Sequence, residues 1–204
     1  MPLPPPRVPR LLMRVWDAPT RLFHAATVLL IIYSTITFRL GRMELHDLGG
    51  EVLLALLVFR LIWGVIGSDT SRLSAYLRNP LAELGGRGVD AEIGHNAAGG
   101  WIVLAMLLAL AASAVTGLLA LRPDAAMATW HAASFYALLV LIALHLASLI
   151  AYAASGRRDL VTLMVTGKKR LPAAMRQPRL SSPLLAVLVL AIAAGLVWAF
   201  IRFA

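Results

Sequence analysis

The chain has 204 residues, 60% of them apolar and only 14% charged, with a mean hydropathy of +0.80 and no cysteine. These values exclude a soluble globular domain, a disordered segment, a collagen and a coiled coil; the missing cysteine excludes disulfide frameworks, thiolate zinc sites, iron–sulfur clusters, covalent c-type haem and cysteine nucleophiles. The net charge of +9 raises the question of membrane orientation first, and needs no nucleic acid to explain it.

Five stretches are long and apolar enough to cross a bilayer as helices, which takes about 20 residues. They run over 22–38, 50–66 (interrupted by Arg60), 101–121, 132–154 and 183–200. Gly41, Gly67-Ser68-Asp69, Arg122-Pro123-Asp124, Gly156 and the stretch from Pro172 to Pro183 punctuate them. The basic start followed by an apolar run has the outline of a signal peptide. The run is long, however, and no small-residue cleavage site follows it, so it is read as the first span. The expected fold is an all-α integral membrane protein, a four-helix transmembrane bundle with a fifth C-terminal helix. Its expected divisions are an N-terminal tail over 1–11, the four-helix domain over 12–170, a basic linker over 171–182 and the last helix over 183–204.

Charge sets the expected orientation. Arg7, Arg10, Arg14 and Arg21 lie on one side, with Arg72, Arg78 and Arg87, and with the basic run from Arg157 to Arg179. The other side holds only Arg39, Arg42, Arg122 and Arg202. The positive-inside rule puts the N-terminus in the cytoplasm and the C-terminus outside. The 155–182 loop is the most basic segment; contact with anionic lipid is its simplest explanation, and a specific protein dock is the alternative.

Ionisable residues in spans are rare and functional by default. His131 and His145 are 14 residues apart, about 21 Å of helix rise and roughly 40° short of four full turns, so they share one face at two depths. The topology puts His46, at the start of the second span, level with His131. It puts His24, near the start of the first, level with His145. Two depth-matched pairs result, each drawn from two helices. A bare metal ion wants further carboxylate or thiolate ligands, and the spans offer none. A planar haem needs only two axial nitrogens, and ligation by two histidines gives an electron carrier rather than an oxygen binder. Gly49 and Gly50 after His46 let a porphyrin lie close to the helix. Gly99, Gly100, Ser113 and Gly117 thin the third span in the same way; ordinary helix packing explains these small residues equally well. Arg60 lies 14 residues after His46 and faces the same way one haem spacing inward. It either meets a haem propionate or snorkels to the nearby interface. Asp17 with Arg14 or Arg21 reads either as a surface pair, the commoner case, or as part of a propionate clamp.

Several segments then look familiar. Val15-Trp-Asp-Ala-Pro-Thr-Arg-Leu-Phe-His24, Arg60-Leu-Ile-Trp-Gly64, Gly94-His-Asn-Ala-Ala-Gly99, Trp130-His131, His145 and Met164-Val-Thr-Gly-Lys168 together resemble the bacterial di-haem cytochrome b561 family. That family includes the b-type cytochrome subunits of nickel–iron hydrogenases. The resemblance covers about residues 12–170 and departs at Ala25, where an aromatic is common, and at Ala97, where a proline is common. It implies two b haems with iron ligated by His24, His46, His131 and His145, and electron transfer between the membrane quinone pool (ubiquinone or menaquinone) and a periplasmic redox partner. That partner is a cytochrome c or a dehydrogenase or hydrogenase subunit. Another activity within the family is that of a stand-alone superoxide:quinone oxidoreductase, for which Arg39, Arg42 and Arg122 would attract the anion.

His95, at the cytoplasmic edge of the third span, is a candidate proton donor to quinone, with Trp101 and Arg21 as companions. A proton-coupled transporter built on histidine relays lacks the membrane carboxylates it would need. The sequence leaves open whether the chain is a homodimer or part of a larger complex, and whether the fifth helix meets a partner or only lipid.

Overall fold

The computed structural model describes residues 9–77, 97–121, 125–154 and 159–203. Strand β1 spans Arg10–Arg14, helix α1 Ala18–Arg39 and helix α2 Met43–Ile66, followed by a 3₁₀ turn over Leu73–Tyr76. Helices α3 (Ala97–Ala120), α4 (Ala125–Ala154) and α5 (Asp159–Thr166) lead to strand β2 (Lys168–Pro172) and helix α6 (Pro183–Phe203). Five of these helices are long and apolar enough to cross a membrane. We call the end with the α1–α2 turn the upper end and the end with Asp17 the lower end.

Local chemistry starts and stops the elements. The Asp17 carboxylate accepts from the backbone N–H of Thr20 at 2.8 Å and caps α1, while Pro19 sits in the first turn, where its missing N–H costs nothing. Gly41 follows the helix with φ of +67°, the left-handed conformation that ends a helix at little cost for glycine. Only Leu40 to Arg42 separate α1 from α2, so the two run antiparallel. Helix α2 begins seven residues before the expected span, and α4 likewise begins seven residues early. Helix α2 carries a polar first turn, Met43-Glu44-Leu45-His46, that an apolar window overlooks, and α4 opens on the short run Ala125-Ala-Met-Ala before Thr129 and His131 interrupt it. His46 therefore lies inside α2 and His131 lies well inside α4.

The principal packing pairs are α1 on α2, α2 on α3, α3 on α4 and α6 on α2. Leu53 and Leu57 of α2, Leu110 of α3 and Leu138 of α4 form the middle of the bundle. Phe59 and Trp63 of α2 meet Ala186, Val189 and Ala193 of α6. The fifth span thus rests on α2, and the rest of its surface is apolar and outward-facing. Close fit, rather than removal of apolar surface from water, holds such helices together in lipid. A Cβ added to Gly195 would meet no atom within 4 Å, so that glycine serves no contact within the chain.

The lower end is tied together by polar bonds. The second Asp17 oxygen accepts from Trp63 Nε1 at 3.0 Å, joining the start of α1 to the end of α2. Asp17 is buried there and bonds neither Arg14 nor Arg21, unlike the surface pair expected from the sequence. Thr70 Oγ1 donates to the Val15 carbonyl, and Ser68 Oγ accepts from the Ser181 N–H. Strands β1 and β2 pair antiparallel, with Arg10 opposite Pro172 and Arg14 opposite Lys168. This ribbon straddles the boundaries expected at 11 and 170, so the ends of the tail and the linker belong to one folded piece.

Candidate functional site

His46 and His131 face each other at the upper end, their ring centroids 6.0 Å apart and their planes at 73°. Each ring is held the same way. His46 Nδ1 lies 2.9 Å from the Ser34 carbonyl oxygen of α1. His131 Nδ1 lies 2.8 Å from the Ser113 carbonyl oxygen of α3. A carbonyl can only accept, so each Nδ1 carries the proton and donates it. Each Nε2 is left with a free lone pair, the state a metal-ligating imidazole needs.

Two glycines make room for this arrangement. A Cβ at Gly117 would come within 2.9 Å of His131 Cε1, so only glycine lets that ring lie against α3. A Cβ at Gly49 would come within 2.3 Å of Ser34 Oγ, so glycine also sets the close approach of α2 to the segment that supplies the His46 acceptor. Gly50 differs from both: a Cβ there would meet no protein atom within 4 Å. The packing role belongs to Gly49, and Gly50 borders the site without closing it.

The residues fit a haem. An imidazole–metal bond is about 2.0–2.1 Å, and the ring centroid lies roughly 1.1 Å behind the nitrogen, so two imidazoles sharing one metal have centroids roughly 6.2–6.4 Å apart. The observed 6.0 Å is close to that value. Among the described residues no cluster of three or more His, Asp or Glu side chains converges. A donor set of two nitrogens suits a group that brings its own equatorial ligands.

At the lower end His24 of α1 and His145 of α4 are near enough to interact electrostatically. Their polar surroundings are less complete. His145 Nδ1 and the hydroxyl of Thr27, one turn above His24, are buried without a hydrogen-bond partner among the described residues.

Arg60 belongs to this lower region. It is only 2% exposed and does not snorkel. Its guanidinium lies 5.9 Å from the ring centre of Phe23, the neighbour of His24, and 5.7 Å from that of Tyr76. One nitrogen, Nη2, donates to the Tyr76 hydroxyl at 3.1 Å, while Nη1 is buried without a partner among the described residues. Burial pushes the Tyr76 phenol above its ordinary range, outweighing the opposing pull of Arg60. The phenol therefore stays neutral and supplies no counter-charge to the arginine. A buried cation in this state calls for an anion.

The three residues expected at a quinone site are not gathered into one visible group. His95 lies outside the described residues. An Arg21 nitrogen donates to the Val165 carbonyl at the end of α5, while its Nε, beside Gly167, is buried without a partner among the described residues. Trp101 is exposed near the start of α3. Sequence reasoning missed the carbonyls of Ser34 and Ser113, and no sequence signal exists for them, because every residue carries a carbonyl. It also missed Tyr76, whose partner in the bundle becomes apparent only when the 3₁₀ turn folds back over α2.

Residues 15–167, more than half of the chain, match the family model described as prokaryotic cytochrome b561. Comparison with curated proteins returned no match, and neither did comparison with solved structures. On the family match and the five apolar helices, the chain is a multi-pass membrane protein of the prokaryotic cytochrome b561 family, an all-α bundle that carries electrons through b-type haem.

Proposed function

We propose that the protein moves electrons across the bacterial inner membrane through two bis-histidine b haems, between the quinone pool and a periplasmic redox partner. The partner is a cytochrome c or a dehydrogenase or hydrogenase-type subunit. His46 and His131 would hold the upper haem, and His24 and His145 the lower one. The observation that carries this reading is the upper pair: two imidazoles at ligating separation, each with Nδ1 tethered so that Nε2 is free.

A b haem held by two histidines supplies one-electron iron chemistry with both axial positions filled. The chain's own residues do the remaining work. The Ser34 and Ser113 carbonyls fix ring orientation and tautomer. Gly117 admits the His131 ring, and Gly50 leaves room beside His46. Arg60, with a buried and unpartnered Nη1, is suited to a carboxylate such as a haem propionate. Arg21, Trp101 and His95 are proposed to serve quinone near the lower end, which the excess of basic residues assigns to the cytoplasm.

The test is a reduced-minus-oxidised spectrum of the detergent-purified protein, with haem counted by pyridine haemochrome. Two b haems per chain, reducible by a quinol analogue, are expected. Protein made with ample haem supply that binds none would overturn the reading.

A further inference from the structure

The ribbon of β1 and β2 has two unlike faces. Strand residues alternate between faces, and Leu171 and Met13 point inward to pack with Val15, Trp16, Tyr76 and Leu163. The outward face carries Leu12 and Arg14 on one strand and Lys168 and Arg170 on the other, all exposed. Arg14 is directly opposite Lys168, and Leu12 is directly opposite Arg170. Like charges facing each other across a strand pair destabilise it, and neither strand contains a carboxylate. Two acids at this end are engaged elsewhere: Asp17 caps α1 and bonds Trp63, and Asp69 faces Arg72 and the Arg179 N–H. The buried inner face pins the ribbon to the bundle, so the cations are displayed on a fixed scaffold.

We infer that this face is a docking site for the phosphate groups of anionic phospholipids in the surrounding membrane. Three observations favour lipid over an acidic protein. Leu12, 62% exposed, stands among the cations. On neighbouring α5, Val161 and Val165, one turn apart, are 60% and 70% exposed. Apolar side chains interleaved with cations are what an element lying in the headgroup layer requires. Finally, only residues 15–17 separate Arg14 from the first residue of α1, a reach of about 10–14 Å at most. The cations are therefore held close to where a span enters the bilayer. The inference makes no use of haem.

The test uses the full chain in nanodiscs of equal phosphatidylglycerol and phosphatidylcholine, with native mass spectrometry counting the lipids retained. Wild type should retain phosphatidylglycerol several-fold over phosphatidylcholine. Arg14→Gln/Lys168→Gln/Arg170→Gln should bring that ratio down to near one, since each cation near an anionic surface contributes substantially. Arg39→Gln/Arg42→Gln, at the opposite end, should leave the ratio unchanged. Should the triple variant not fold, as judged by circular dichroism and elution profile, the single variants Lys168→Gln and Arg170→Gln should each lower it a few-fold. Equal retention of both lipids by wild type would overturn the inference, as would undiminished retention by the folded variants. Binding of soluble polyglutamate with no lipid preference would overturn it in favour of an acidic protein partner.

Discussion

At the upper histidine pair both Nδ1 atoms end on backbone carbonyls, at 2.9 and 2.8 Å. At the lower pair His145 Nδ1 is buried without a partner among the described residues, and His24 is exposed along α1. The upper site is built by rigid backbone, with glycine clearing the way for each tether. The lower site is built by side chains around a buried cation, Arg60, whose Nη1 has no hydrogen-bond partner among the described residues. A site of the first kind is ordered before its ligand arrives. A site of the second kind gains order from the ligand, because a buried charge without a counterion is costly until an anion is supplied. The lower haem should accordingly be the more easily lost, and the more sensitive to electrostatic change.

The largest effect that can break this comparison is loss of a whole haem. His46→Ala/His131→Ala should leave one haem per chain, because both changes fall on the upper site. His46→Ala/His145→Ala should leave none, because each site loses a ligand. Pyridine haemochrome counts on the two double variants decide the pairing. Retention of one haem by the cross-pair variant would show that the assignment of partners is wrong.

The number and order of the apolar helices were legible in the sequence, though α2 and α4 each start seven residues before their apolar runs, and the spacing of His131 and His145 put both on one helix face. Apolar run length measures span, and 14-residue spacing returns a side chain to nearly the same face. What the sequence hid depends on contacts between distant segments. Ser34 and Ser113 act through backbone carbonyls, which have no side-chain signature. Asp17 looks like half of a surface ion pair beside Arg14 and Arg21, yet it folds inward because Thr20 N–H and Trp63 Nε1 satisfy both of its oxygens. The ribbon was concealed because a basic stretch between spans reads as a loop. Leu171 alone, 1% exposed, shows how firmly its inner face is buried.

Gly117→Ala should sharpen the comparison from the upper side. Its methyl would press on the His131 ring and lengthen the bond to the Ser113 carbonyl. Outer contacts of this kind are worth about 10–100-fold in metal affinity. Haem titration of the apo protein should show weakening of that order at one site, with the other unchanged. Gly50→Ala strikes no atom among the described residues and adds helix propensity, so the apo fold should melt at or slightly above the wild-type temperature. Any weakening of haem binding in that variant reports the porphyrin edge itself.

Arg60→Gln addresses the lower side. A positive charge favours the reduced state of a nearby centre, so its removal should lower one midpoint potential and leave the other in place. For a separation of roughly 10 Å and an effective dielectric constant of about 20, the Coulomb term is about 1.7 kcal/mol. That corresponds to a downward shift of roughly 70 mV for a one-electron couple. A spectroelectrochemical titration resolving both haems would read it. Equal shifts at both haems would mean that Arg60 does not belong to the lower site.

The smallest effects concern Ser34, where side chain and backbone have separate roles. Its carbonyl holds His46, while its hydroxyl is buried without a partner among the described residues and would clash with a Cβ at position 49. Ser34→Ala keeps the carbonyl and removes an unsatisfied polar atom, so haem affinity should stay within about twofold and stability should hold or rise slightly. Gly49→Ala alone should separate α1 from α2 and weaken the upper haem. The double variant should recover part of that loss, because the closest clash has gone. It should not recover all of it, because the Tyr33 ring still stands 3.1 Å from the new methyl. Non-additivity in this cycle measures how much of the upper site rests on close approach of the two helices. Additive losses would mean that the His46 tether does not depend on that approach, and the contrast between the two pairs would then rest on the carbonyls alone.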